Sequence, residues 1–379
     1  MNKYLEAALE GERRPLYQGT LSEQRMAAMD AHARACPAEA ATDIAPLAAY
    51  LRSAARNAEE IVRAVCFWLH LNVRYDTEAY FGNNVRSMCA QDVLRERKSV
   101  CHGFARLMAE LCKACGVECR VIDGYAKGVS WRGGGGGGAA DVMPYKSNHN
   151  WVAVQLRPVA PAASPSPGGG CASEGPGKDR GRWYLVDPTW CAGCTDPATR
   201  EWIPKWAPQY YMPAPVALAQ SHFPGDPDWT LLPPETRPDW RSFLAAARLG
   251  FPASWELGVV PVSHRLALLP APEDGRLRVV FRKRKGVFML GKVADKPCVR
   301  PTLLRCCDRG EEAELVAFDL DKVGTSSGGG GGGGGGSNHN NGAAITLYFF
   351  ASPQQYDVPY EQVVEYTVWE RADGGQQCA

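Results

Sequence analysis

The sequence predicts an α+β domain, with helices packed on an antiparallel sheet, followed by an all-β domain. Apolar residues recur at helical spacing between Arg56 and Gly116, which is typical of packed helices. Segments of alternating apolar and polar residues, rich in aromatic and β-branched types, continue to Trp190 and indicate strands. From about Arg248, short strand-like segments repeat at fairly regular intervals, a pattern typical of a β-sandwich. A chain of 379 residues is long enough for two such domains.

The predicted domain boundaries follow these changes in pattern. Residues 1–50 form an Ala-rich helical lead-in that we expect to be partly disordered, residues 51–245 form the α+β domain, and residues 246–379 form the all-β domain. Two polyglycine runs, Gly133–Gly138 and Gly328–Gly336, have no side chains to place in a core and are interpreted as flexible loop insertions.

The α+β domain starts with three predicted helices. The first follows Asn57, a helix cap with Glu60 three residues later. The second lies in the stretch CAQDVLRERKS. The third begins near Ser99, which we expect to be its cap, and ends at Gly116.

Three strands are predicted to follow, in the stretches VECRVIDGYAKG, HNWVAVQLR and RWYLVDPTW. The last two are separated by the Pro-, Gly- and Ser-rich segment 158–181, whose composition favours disorder. We therefore predict a hairpin with a long disordered loop. In the all-β domain we expect strands in the stretches RLALLPAP, RLRVVFRK, GVFMLGKV, EEAELVAFDL, AAITLYFFAS and VVEYTVWER.

Composition argues against several classes of function. The net charge is +1, from 42 basic and 41 acidic residues, so we expect no general affinity for nucleic acid. No window approaches the ~18 apolar residues of a membrane span, and the N-terminus lacks the apolar stretch of a signal peptide. We therefore expect a cytoplasmic protein with no membrane partner, whose 14 cysteines are mostly reduced.

One cysteine stands where a helix is predicted to begin. Cys101 would lie among the unpaired N–H groups of the first helical turn and near the positive end of the helix dipole. Both effects favour the thiolate over the thiol, and the same N–H groups can stabilise an oxyanion. Cys101 is therefore a candidate nucleophile, although a small buried apolar residue would fit the same position.

A base and an orienting acid for this thiol occur later in the chain. His149 starts the second predicted strand and Asp187 lies near the end of the third, so adjacent antiparallel strands can bring the two side chains together. His102 points away from its neighbour on the helix, and His70 fits the edge of the core. The remaining histidines, including His222 and His264, are predicted to be ordinary structural residues.

These residues stand in motifs that resemble a known family. The stretch KSVCHGFARLMAELCKACGVECRVIDGYAKG, followed by HNWVAVQL and WYLVDPTW, resembles the transglutaminase-like cysteine superfamily, and more narrowly the kyphoscoliosis peptidase and hillarin group. The downstream stretch YYMPAPVALAQSHFPGDPDWTLL is similar to the segment that follows that family's core. The resemblance covers about residues 57–370, and it is weaker in the β part. It implies a papain/transglutaminase-like core followed by an immunoglobulin-like sandwich.

The resemblance also implies a chemistry. Cys101 would attack a protein amide carbonyl to form a thioester, His149 would move the proton, and Asp187 would orient the imidazole. The Cys101 backbone N–H is one oxyanion donor, and Gln91 or Trp190 is a candidate for the second. Trp151 would be a packing wall or a substrate contact. No cofactor, no metal and no calcium requirement are expected. The family implies a protein substrate or partner, in a cytoskeletal or cell-division setting.

Two other interpretations of the sequence stay open. Relatives in this superfamily lose the nucleophile and act as scaffolds, so the domain is alternatively a catalytically weak or inactive protein-interaction module. Four cysteines in two CxxC pairs, Cys112, Cys115, Cys191 and Cys194, also allow a zinc site. The gap between the pairs is much longer than usual, which favours buried thiols and a turn instead. The glycine runs lack the pattern of a phosphate-binding loop.

Overall fold

The computed structural model describes residues 16–128, 131, 144–156, 181–196, 198–250, 253–264, 266–270, 272, 274–294, 296–306, 313–321, 323, 344–353 and 361–369. Contacts divide the chain into two compact units. One comprises Glu12–Val129 with Lys146–Arg237, and the other comprises Met1–Gly11, Ser130–Tyr145 and Pro238–Ala379. Both polyglycine runs and nearly all of the predicted 158–181 loop lie outside the described residues.

The first unit contains eight short to medium helices among its described residues. They are α1 (Glu23–Arg34), α2 (Ile44–Ser53), α3 (Ala58–Asn72), α4 (Thr77–Phe81), α5 (Ala90–Glu96), α6 (Cys101–Ala114), α7 (Pro188–Ala192) and α8 (Pro215–Leu218). Single 3₁₀ turns occur at Ala38–Thr42, Pro208–Tyr210, Pro227–Thr230 and Pro234–Thr236. In the described part of the chain, no helix combines the length and the apolar character needed to cross a membrane.

Helix α3 is the central helix of this unit. Asn57 caps it as predicted, since its side-chain oxygen accepts a hydrogen bond of 2.9 Å from the Glu60 amide. The predicted apolar stripe is buried, and so are residues on the other faces of the helix, because α3 is covered on several sides. Even Arg63 is buried, where it forms a paired salt bridge with Asp30 of α1.

The lead-in helices contribute to the same core. Met29 and Ala33 of α1 and Leu47, Ala48 and Leu51 of α2 are buried in one apolar cluster with α3 and α6. Residues 1–15, the front of the predicted lead-in, lie outside the described residues. The helices of the lead-in are therefore part of the packed unit wherever the structure describes them.

Four antiparallel strands form the main sheet of the first unit. In the order β5-β4-β3-β8, they are Arg182–Val186, His149–Leu156, Cys119–Ala126 and His222–Pro224. The predicted pairing of the second and third strands is confirmed. Two smaller pairs flank the sheet, β1 (Arg74–Tyr75) with β2 (Lys98–Ser99), and β6 (Gly193–Thr195) with β7 (Trp202–Pro204). The helices packed on this antiparallel sheet make the unit α+β, as predicted.

The second unit is built mainly from strands. One sheet has the order β10-β12-β15-β14, from Val260–Pro261, Arg276–Arg284, Ala313–Asp321 and Thr302–Cys306. The other has the order β11-β17-β16-β13, from Leu268–Pro270, Glu361–Trp369, Ala344–Ser352 and Phe288–Val293, with β9 (Arg248–Leu249) beside β17. Phe281 and Phe318 of the first sheet contact Phe349 of the second with ring centroids 4.7 and 5.0 Å apart, which joins the two sheets. Two short helices, α9 (Trp240–Ala245) and α10 (Ala253–Glu256), complete the described part.

Candidate active site

Cys101 is the first residue of helix α6, as the sequence predicts, and is 7% exposed. The cap is Val100, which offers no side-chain hydrogen bond, so the prediction that Ser99 caps the helix is wrong. The Ser99 hydroxyl instead lies 3.6 Å from the sulfur of Met88. No cap side chain therefore competes for the first N–H groups of the helix, although the Gly103 and Phe104 amides donate to the Val100 carbonyl at 2.9 and 3.3 Å.

His149 links the nucleophile to an acid. Its Nε2 lies 2.7 Å from Oδ2 of Asp187, and the imidazole also interacts with the neighbouring Cys101 thiol, which contributes to the raised pKa of His149. Since Nε2 is engaged by the carboxylate, Nδ1 is the ring nitrogen left for the sulfur. The structure thus brings together the three side chains that the sequence nominates, in the order thiol, imidazole, carboxylate.

Asp187 occupies the junction between strand β5 and helix α7. Its Oδ1 accepts hydrogen bonds of 2.9 Å from the amides of Thr189 and Trp190, so the carboxylate caps α7. Its Oδ2 accepts from the two imidazoles of His149 and His222, at 2.7 and 3.0 Å. Four donors therefore saturate a carboxylate that is fully buried.

His222 is the residue that the sequence argument missed, because it was predicted to be an ordinary structural histidine. It starts strand β8, is 2% exposed, and is held by Ser221, whose Oγ lies 2.8 Å from the other ring nitrogen, Nδ1. The only signal in the sequence was its place in the SHFP motif downstream of the core. Nothing in that motif indicates which carboxylate the imidazole meets.

The three ionisable side chains perturb one another strongly. Burial opposes the charge on His149, but the nearby negative charges of Asp187 and Cys101 outweigh it and raise the pKa of His149 to about 10. Burial also disfavours the Asp187 carboxylate, yet its bonds and charge interactions with His149 and His222 lower the pKa of Asp187 well below its usual range. Burial lowers the pKa of His222, which is therefore neutral. The pKa values of the two imidazoles shift in opposite directions, and the interaction with Cys101 contributes to the shift of His149.

Of the other predicted site residues, Trp151 and Trp190 lie beside the triad and Gln91 does not. Trp151 is 1% exposed and stacks on His149 with ring centroids 6.0 Å apart, so it forms a wall of the site. Trp190 is partly buried and contacts the rings of His149 and His222, at 5.3 and 4.6 Å. The side-chain nitrogen of Gln91 donates to the Thr42 carbonyl at 3.1 Å, and the structure does not bring it to the triad.

Trp151 fits over strand β3 only because residue 124 is glycine. A Cβ atom added to Gly124 would lie 2.2 Å from the Trp151 ring and 2.6 Å from the Phe223 carbonyl oxygen. We expect Gly124→Ala to lower the free energy of unfolding by about 1–3 kcal/mol, as overpacking does. The matched control is Gly128→Ala, since a Cβ there meets only the Trp190 ring at 3.7 Å. Thermal melts should separate the variants, and equal stabilities would contradict the packing of Trp151.

Tyr75 is a second neighbour of the site that sequence reasoning missed. Its strand β1 pairs in parallel with β2, where Tyr75 is opposite Ser99, two residues before the nucleophile. Burial, and then the negative charge of Cys101, raise the pKa of Tyr75. Its ring stacks on Trp202 at 5.7 Å. Tyr75 therefore stays a neutral phenol beside the sulfur.

Two groups of side chains have donor atoms of the kind that bind metal ions. His149, Asp187 and His222 place one donor atom each within 4.8 Å of one another, the only such group found among the described residues. These donors already bond to each other, so a cation would have to displace imidazole protons. The CxxC cysteines do not form such a group among the described residues: the free thiol of Cys112 has Cys119 as its neighbour, whereas that of Cys191 has Cys66.

Comparisons with known proteins find similarity over the segment that contains these three residues. A family model of the transglutaminase-like superfamily matches residues 45–188, which include Cys101, His149 and Asp187. Kyphoscoliosis peptidase of Mus musculus is 29% identical over 175 residues, covering 46% of this chain and 22% of that protein. Kyphoscoliosis peptidase of Homo sapiens is 27% identical over 223 residues, covering 59% and 29%. The chain thus spans less than a third of the length of these curated relatives.

A solved structure of a candidate cysteine protease from Cytophaga hutchinsonii covers 45% of this chain and 43% of its own, at 19% identity. Its TM-score is 0.24, and we draw no argument from that likeness.

Proposed function

We propose that the chain is a cysteine acyl-transfer enzyme acting on protein amide bonds, a proposal supported by the transglutaminase-like family model that matches residues 45–188 and by its similarity to kyphoscoliosis peptidases. The observation that carries the proposal is the continuous set of contacts from Cys101 through His149 to the buried Asp187. Nothing in an ordinary core requires a thiol, an imidazole and a carboxylate in that order.

In the first step, the Cys101 sulfur attacks the amide carbonyl carbon. The raised pKa of His149 shows that the imidazole is a strong proton acceptor, and in this step it takes the thiol proton, which gives a thiolate beside an imidazolium as the attacking species. The new C–S bond forms as the C–N bond breaks, and His149 gives its proton to the leaving amine. The product is a thioester on Cys101 and a free amine.

In the second step, an acceptor attacks the thioester carbonyl. Neutral His149 takes a proton from the acceptor, the C–S bond breaks, and the sulfur leaves as a thiolate. Water as acceptor gives peptide hydrolysis or deamidation, and a protein amine gives a cross-link. Asp187 holds the ring orientation throughout and stabilises the imidazolium, as in other triads.

The oxyanion of each tetrahedral intermediate would form in front of helix α6. The Cys101 backbone N–H lies in the first turn of that helix, where the cap Val100 supplies no competing side-chain acceptor. Trp190 is retained as a candidate second donor because its ring adjoins His149. Gln91 is not retained, since its amide is bonded to Thr42.

Thiol labelling tests this proposal without knowledge of the substrate. Cys101 is 7% exposed, whereas Cys194 is exposed, so an ordinary thiol at position 101 would react more slowly than Cys194. We expect the reverse with iodoacetamide at neutral pH, because the proposed role of His149 is to take the proton of the Cys101 thiol and so assist its attack. Peptide mass spectrometry would give the order of modification. Labelling of Cys194 before Cys101 would contradict an enzymatic role.

A scaffold function is the second candidate, and it is favoured by one observation. Leu303 and Leu304 on β14, the last strand of its sheet, are exposed apolar residues. We propose that the strand-rich second unit is immunoglobulin-like and binds a protein partner, as an exposed strand edge can. The setting we propose for this function is cytoplasmic and cytoskeletal, as the resemblance of the sequence motifs implies. The same labelling experiment distinguishes a pure scaffold, whose Cys101 would be slow.

A further inference from the structure

The site contains a second imidazole that the triad chemistry does not use. We propose that His222 is a positioning residue, which together with Ser221 holds the Asp187 carboxylate and so sets the geometry of His149. The proposal rests on the acyl-transfer function proposed above. His222 lies 34 residues beyond the end of the segment matched by the family model, on strand β8.

The fold places both imidazoles against the same strand. His149 is opposite Gly124 on one side of β3, and His222 is opposite Ala126 on the other side. The Lys127 amide also donates to the Ser221 carbonyl at 2.9 Å, which extends the β8 pairing. The separation between His149 and His222 is therefore fixed by the backbone of β3, with ring centroids 5.5 Å apart.

The proton positions on His222 follow from its partners. Asp187 is an ionised carboxylate and can only accept, so Nε2 of His222 carries the proton and donates to Oδ2 at 3.0 Å. On the other side of the ring, Nδ1 lies 2.8 Å from Oγ of Ser221, whose hydroxyl also lies 3.3 Å from the Leu218 carbonyl oxygen. Asp187 thereby selects the tautomer of His222, and Ser221 holds the ring from its opposite edge.

This arrangement leaves the carboxylate no freedom to rotate. Backbone amides hold Oδ1 and two imidazoles hold Oδ2, in a fully buried position that solvent does not reach. Without the His222 donor, Oδ2 would keep a single partner, and rotation of the carboxylate would move its bond to His149. Since the same imidazole interacts with Cys101, a change in its orientation would also change the geometry around the nucleophile.

The test compares His222→Phe, which keeps a flat ring and removes the donor, with His222→Gln, whose amide nitrogen can replace it. We expect His222→Phe to lower kcat on the order of 10–100-fold with KM nearly unchanged, and His222→Gln to recover most of that loss. Hydrolysis of p-nitrophenyl acetate supplies both constants. His32→Phe is the matched control, because His32 bonds and stacks on Tyr50 and does not contact Asp187.

A second measurement does not depend on turnover. Two strongly deshielded ring N–H protons, from His149 and His222, should appear in the proton NMR spectrum of the wild type. His222→Phe should remove one and shift the other, while Ser221→Ala, a milder change, should broaden the His222 signal because the ring loses its support at Nδ1. An unchanged His149 signal in a folded His222 variant would overturn the proposal. If the wild type lacks esterase activity but shows both coupled signals, the acyl-transfer function fails and the positioning role stands.

Discussion

Cys101→Ala should abolish acyl transfer, with at least about a 10⁴-fold loss in kcat, since a triad that loses its nucleophile retains only binding and oxyanion stabilisation. The reason is that other cysteines of the first unit that the structure describes are not placed to replace it. Cys112 and Cys191 are free thiols, but both are fully buried. The neighbouring thiol of Cys119 and burial raise the pKa of Cys112, and burial raises the pKa of Cys191. The measurement is intact-protein mass spectrometry after p-nitrophenyl acetate, in which only the wild type should gain an acetyl group on Cys101.

The control for this loss is the stability of the variant. Cys101 has a small side chain and is the first residue of helix α6, so Cys101→Ala should fold normally and keep its thermal midpoint within a few degrees. Cys194→Ala, which removes an exposed thiol, should leave activity unchanged. Acetylation that persists at another cysteine in Cys101→Ala would show that the nucleophile lies elsewhere.

Asp187→Asn should lower kcat about 10⁴-fold while leaving the Cys101 thiol in place, a magnitude taken from the equivalent change in serine triads. An amide at this position presents donors as well as an acceptor, although Nε2 of His149 and Nε2 of His222 both need an acceptor. One imidazole must then change tautomer or lose its bond. We also expect a stability loss of about 1–3 kcal/mol from the unsatisfied buried groups.

Asp187→Asn should also change the pH at which the His149 imidazolium loses its proton. In the wild type the pKa of His149 is raised from 6.5 to about 10, so the imidazolium is present at neutral pH and is lost as the pH rises through about 10. Removing the negative charge of Asp187 lowers that pKa, so the imidazolium of the variant should be lost at lower pH. NMR titration of labelled histidines would follow both rings. A wild-type His149 that titrates near 6.5 would contradict the thiolate–imidazolium pair.

Much of the candidate site was predictable because its parts are local signals. A cysteine at the start of an apolar helical stripe, a histidine at the start of one strand and an aspartate at the end of the next each have a recognisable sequence context. Antiparallel pairing of the two strands then brings His149 and Asp187 together. Asn57 as the cap of α3 was predictable for the same local reason.

The errors came from contacts between residues distant in sequence. Ser99 satisfies the usual preference for a cap, but its register opposite Tyr75 places it in strand β2. Gln91 has the right chemistry for an oxyanion donor, yet the packing of α5 turns it toward Thr42. Helical spacing carries no information about which distant carbonyl an amide will meet.

The sequence by itself determined the resemblance to the transglutaminase-like superfamily, the α+β class of the first unit and the choice of a candidate thiol, imidazole and carboxylate, because these depend on spacing and residue type. Only the tertiary structure decided that Asp187 serves two histidines. That contact requires β8 to pair with the end of β3, a long-range backbone register that places His222 beside a residue 35 positions earlier. The chemistry of each side chain follows from its residue type, whereas the sharing of one buried carboxylate by two histidines depends on how distant strands align.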